Sequence, residues 1–159
     1  MMIFGKPVSE YVRFQRVILA LLVVVGLARL FLSLAGVSND VVKFLSVTVV
    51  SLIGVFYYGI RVHTKGFGGY KHLLPLLVIQ NVVAHGIAIV GIVIARLTLQ
   101  PNIFSAPEYG GNAGARAHVL GHVLIGMIGF SLVGWLVASI VLWVTKRVSR
   151  KGQPQPAAA

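Results

Sequence analysis

Residues 73–97 read LLPLLVIQNVVAHGIAIVGIVIARL, a continuously apolar run whose one charge, Arg96, stands at its far end. A helix of about 20 such residues, rising 1.5 Å per residue, crosses the ~30 Å hydrocarbon layer of a bilayer. The run lacks the in-out alternation of an outer-membrane barrel strand, so its length and character predict a transmembrane helix. Three more runs share this character, at about residues 17–37, 41–62 and 119–144. The expected fold is therefore all-α: a polytopic membrane protein built as an antiparallel bundle of four transmembrane helices.

Composition agrees with this reading. The 159 residues are 57% hydrophobic and only 11% charged, against the roughly 25% of an ordinary soluble domain. Four spans with their connections occupy nearly the whole chain, which leaves a single membrane domain over residues 1–151 and no room for a second folded unit. Residues 152–159, Gly-Gln-Pro-Gln-Pro-Ala-Ala-Ala, have the composition of a disordered tail. Ser33-Leu34-Ala35 resembles a signal-peptidase site, yet Arg29 interrupts the apolar stretch before it and the stretch is longer than a signal-peptide core, so the first span is expected to be retained.

The connections carry turn chemistry. Ser38, Asn39 and Asp40 are placed to turn the chain and cap the second helix. His63 to Lys71 form a glycine-rich connection, followed by Pro75 in the expected first turn of helix three. The longest loop, residues 98–117, holds Pro101, Pro107 and Gly110-Gly111, with Asn112 as the expected cap of helix four.

Fourteen Lys and Arg against three carboxylates give a formal charge of +11. These cations sit at the ends of apolar runs instead of along one face, which points to anionic lipid head groups and away from nucleic acid. Lys6, Arg13, Arg16, Arg61, Lys65, Lys71, Lys146, Arg147, Arg150 and Lys151 fall on one side, while Lys43, Arg96, Arg116 and, within the first span, Arg29 fall toward the other. By the positive-inside rule the richer side is cytoplasmic, with both termini inside, in a membrane expected to be a bacterial inner membrane.

Helix three carries the least lipid-like patch. Asn81, Ala84, His85, Ala88, Ile92 and Ala95 fall on one stripe at 3.6 residues per turn, with Gln80 beside it. That face is expected to meet protein. Ser51 and Ser131 lie near the level of His85 and are candidate partners for it, and Arg29 lies too deep to reach water freely. Gln80, Asn81, His85, Arg29, Ser51 and Ser131 thus form the expected intramembrane polar cluster. With the midpoint of helix four taken at Ser131 and Leu132, His122 falls about 14 Å outward of His85. His63 and His72 flank the cytoplasmic glycine loop as expected surface groups.

The absence of Cys excludes disulfides, thiolate metal sites and iron–sulfur clusters, so any metal or haem must rely on His. His118 and His122, at i and i+4, are candidate ligands for a divalent metal, with Glu108 of the long loop as a third. A b-type haem held by His85 with His122, or with the His85 of a second copy, follows the general plan of small membrane cytochromes, although the separate levels of the histidines depart from it. No triad, phosphate loop or intramembrane carboxylate supports hydrolysis or proton-coupled transport. The function expected from sequence is thus non-catalytic: an accessory, structural or assembly subunit, in a homo-oligomer or with other membrane subunits. Small residues crowding helices three and four favour such association. A haem-binding redox protein is the alternative, and passage of a small molecule or ion past Asn81, His85 and Arg29 the weaker one.

Overall fold

The computed structural model describes residues 1–151, and the expected tail lies outside the described residues. Among these residues four helices are long and apolar enough to cross a membrane, over Val8–Leu34, Asn39–Thr64, Tyr70–Thr98 and Ala115–Arg150. The chain is an all-α four-helix bundle, and among the described residues the sole strands are the two-residue pair β1 (Met2–Ile3) and β2 (Lys6–Pro7).

Each predicted span shifts at its ends for a local reason. Helix α1 (Val8–Leu34) starts nine residues before the apolar run, because Pro7 fixes its entry and Tyr11 and Gln15 bury themselves in the bundle. The second span is broken. A single turn, α2 (Asn39–Val42), precedes α3 (Val47–Thr64), and the side chain that caps α3 is Ser46, which accepts a bond from the Val49 amide at 3.2 Å. Ser38 stands at the start of the short turn without a side-chain capping bond, while Asn39 and Asp40 bond Glu108 and Lys43, so the cap expected from Ser38–Asp40 does not form. Helix α4 (Tyr70–Thr98) begins early enough to place Pro75 in its second turn, and His72 closes its start by accepting from the Gly69 amide at 3.1 Å. His72 is consequently buried against Tyr11 and Phe67 and is not the surface group its loop position suggests. The fourth span runs as α5 (Ala115–Gly121), a π-helical stretch His122–Gly129 and α6 (Phe130–Lys151). Gly114, at φ +78°, makes its entry, and Asn112 lies in a short 3₁₀ turn before it.

Helix α1 packs on α4, α4 on the fourth span, and α3 on α6 and α1, closing a four-membered ring. The start of α1, the described end of α6 and the α3–α4 connection lie at one end, here the termini end, and the long Leu99–Gly114 loop at the other. The main buried cluster, including Tyr11, Ile18, Leu22, Tyr58, Val62, Leu73, Leu76, Leu77, Ala138 and Leu142, gathers in the termini half. There α3 and α6 nearly touch: a Cβ on Gly59 would lie 2.9 Å from the Ala138 carbonyl oxygen. The loop half is fastened differently. Asn102 donates to the Gly91 carbonyl at 2.7 Å, and the Ile103 amide donates to the Ser33 hydroxyl at 2.8 Å, which holds the long loop across the bundle mouth.

Candidate functional site: a polar-walled cavity within the bundle

Where the apolar core stops, the bundle encloses a cavity of about 420 Å³. Its walls come from α3 (Thr48, Ser51, Leu52, Val55), from α4 (Gln80, Asn81, Ala84, His85, Ala88) and from the fourth span (His122, Phe130, Val133, Gly134, Val137). Arg29 and the loop residues Phe104 and Tyr109 roof it. The size falls within the range of small-molecule sites, and the mixture of apolar lining with a few polar groups is typical of them.

All six residues of the expected polar cluster belong to this region: five line the cavity, and Ser131 joins through Asn81. Asn81, 4% exposed, donates to the Ser131 hydroxyl at 3.0 Å, and that hydroxyl is itself bonded back to the Met127 carbonyl. Gln80 donates to the Ser51 carbonyl at 3.2 Å, while its Oε1 has no partner and presses on Gly54, whose missing Cβ makes the contact possible. Ser51 and Ser131 therefore serve the two amides, and His85 bonds elsewhere. Its Nδ1 meets Nδ1 of His122 at 2.9 Å, with the rings tilted by 48°.

That contact revises the depth assigned to His122. Gly126 faces His85 so closely that a Cβ there would lie 2.5 Å from the imidazole. The level of His85 thus corresponds to Gly126, and His122 lies one turn, about 6 Å, beyond it. The apolar run of the fourth span, residues 119–144, extends much further from Gly126 toward the termini end than toward the loop end, so its midpoint does not mark the level of His85. The π stretch that begins at His122 widens the helix there, a distortion that often accompanies functional sites.

Haem fits this arrangement poorly. Two axial imidazoles need their nitrogens on opposite sides of one iron, about 4 Å apart at metal–nitrogen bonds of about 2 Å. His85 on α4 and His122 on the fourth span instead touch directly, Nδ1 to Nδ1 at 2.9 Å, too close to admit an iron between them. His118 stacks on His122 with centroids 5.0 Å apart and planes 26° apart, which lines the rings up in a row without converging them. Glu108 accepts a bond from Asn39 at 2.8 Å. Among the described residues no group of three His, Cys, Asp or Glu is arranged to hold a metal ion.

Sequence reasoning missed the roof. Phe104 reaches the bundle because Gly91 leaves room for its ring, and Phe104 and Tyr109 stand over the Arg29 guanidinium at 5.6 and 5.1 Å. Two aromatics in a loop otherwise rich in Pro and Gly were the available signal. Comparison with protein-family models, with curated proteins and with solved structures finds no match.

Proposed function

We propose that this chain is a non-catalytic, ligand-binding membrane protein whose cavity receives one amphipathic small molecule, in a bacterial inner membrane with both termini on the cytoplasmic side. One observation carries the proposal: an interior space of about 420 Å³ with Arg29, Gln80, Asn81 and His85 on its walls. A bundle serving as a scaffold alone gains by filling such a space, since voids forfeit packing energy and unpartnered polar walls add to the loss.

The stripe that suggested an accessory subunit is largely occupied within the chain. Asn81, Ala84, Ala88 and Ile92 are all buried within the chain, the first three on the cavity wall, which weakens the argument for a partner helix on that face. Passage through the bundle also has little support, because the termini half is filled by the buried apolar cluster and no carboxylate among the described residues lines the cavity. Its rim residues Leu52, Phe130 and Val133 are 54%, 53% and 58% exposed, toward the lipid side between α3 and α6. Entry from the hydrocarbon layer is the route this geometry favours.

Native mass spectrometry of protein extracted in mild detergent is the test. The expected result is one small-molecule adduct that Ala88→Phe, which fills the cavity from α4, removes while the thermal transition is kept. A protein that carries no adduct and takes up no added lipophilic probe overturns the proposal.

A further inference from the structure

We infer that the molecule held in this cavity has an oxyanion head, a carboxylate or phosphate on an apolar tail, and that the head rests on Arg29; the inference depends on the cavity being a binding site. Charge bookkeeping leads there. The chain has three carboxylate side chains, and each already has a partner: Glu10 is bonded to Lys6, Asp40 to Lys43 at 2.9 Å, and Glu108 to Asn39 at 2.8 Å. None is available to Arg29.

Arg29 nevertheless lies within the bundle, only 9% exposed. Of its five N–H donors, Nη1 reaches the Leu45 carbonyl at a long 3.4 Å, and Nε has no partner. Phe104 and Tyr109 cover the guanidinium with their rings, which favours a cation without neutralising it. A cation taken out of water without a counter-charge is costly enough that buried charges are ordinarily paired. Arginine also matches carboxylate and phosphate through its planar fork, which suits an oxyanion supplied from outside the chain.

The rest of the cavity describes the tail. Beyond Arg29, Gln80, Asn81 and His85 the lining is mostly apolar, with Val47, Leu52, Val55, Val133 and Val137, and the rim residues Leu52, Phe130 and Val133 are more than half exposed on the outer face of the bundle. A soluble anion would gain nothing from these contacts, whereas a membrane amphiphile would bury its chain along them.

The test uses the full chain in nanodiscs of zwitterionic lipid with a sixteen-carbon fatty acid carrying a fluorophore at its tail end. Saturable binding at one site is expected, with Arg29→Gln weakening it by about tenfold or more and Arg29→Lys by much less. Lysophosphatidate and unlabelled fatty acid should compete, the methyl ester should be at least about tenfold weaker, and inorganic phosphate should not compete. Thermal unfolding of ligand-free Arg29→Gln should be no lower than that of the parent, because the substitution removes an uncompensated charge. A lowered midpoint would assign Arg29 to holding the Leu45 turn and overturn the inference. So would an ester that binds like the acid, a result that leaves the cavity reading standing. Displacement by inorganic phosphate would replace the amphiphile with a soluble anion. Failure of acid, ester and lysophosphatidate alike would overturn the inference and the binding site together.

Discussion

His85 and His122 face one another nitrogen to nitrogen, 2.9 Å apart, at the point where the fourth helix widens. Two neutral imidazoles can share such a bond only if one carries its proton on Nδ1 and the other does not, so the pair fixes opposite tautomers. A double-mutant cycle with His85→Ala and His122→Ala should give a coupling of about 0.5–1.5 kcal/mol, measured by reversible unfolding in mixed micelles. Nitrogen NMR of the labelled rings should report one protonated and one unprotonated Nδ1. Two equivalent rings and no coupling would remove the pairing.

The α3–α6 contact should be intolerant of even one methyl group. A Cβ on Gly59 would lie 2.7 Å from two Val141 carbons and 2.9 Å from the Ala138 carbonyl oxygen, and a backbone oxygen has no rotamer to escape through. Gly59→Ala is expected to cost about 1–3 kcal/mol of stability. Gly86, with nothing within 4 Å of the same position, provides the comparison. There Gly→Ala should be neutral or stabilising by up to about 1 kcal/mol. Equal effects at the two sites would contradict the tight crossing.

How much of this was legible differs by level. The four spans follow from apolar length alone, since each has enough uninterrupted hydrophobic residues to cross a bilayer. The stripe through Asn81, Ala84 and Ala88 was also legible, because a small polar face on a lipid-like helix has one favourable direction to point. Register was not. The midpoint of an apolar run gives a shared level only when neighbouring helices are aligned at their midpoints, and here Gly126, not Ser131, faces His85. That error alone separated His122 from His85. The roof of Phe104 and Tyr109 escaped notice because loop aromatics gain meaning only once Gly91 and Ser33 have anchored the loop. Gln15 fell outside the apolar run altogether, although it is fully buried.

Orientation can be read from a chain that contains no Cys, because every introduced thiol is unique. Lys65 is exposed between α3 and α4, and Asn112 is exposed in the long loop at the opposite end. In intact cells a membrane-impermeant maleimide should label Asn112→Cys at once and Lys65→Cys only after permeabilisation, as the Lys and Arg distribution requires. The reverse pattern would invert the assignment, and labelling of both before permeabilisation would break the four-span arrangement.

Tyr58 and Gln15 offer a test of the packed half, where both side chains are 0% exposed and the phenol donates to the amide oxygen at 2.9 Å. The amide nitrogen has no partner, so Gln15 is half satisfied even in the intact protein. Tyr58→Phe removes its one side-chain bond and strands a buried amide, at an expected cost of about 1–3 kcal/mol. Adding Gln15→Met to Tyr58→Phe deletes the stranded group itself and should return stability to within about 1 kcal/mol of the parent. The recovery is the informative part: a double variant as unstable as Tyr58→Phe alone would mean that the loss came from packing around the ring and not from the broken hydrogen bond.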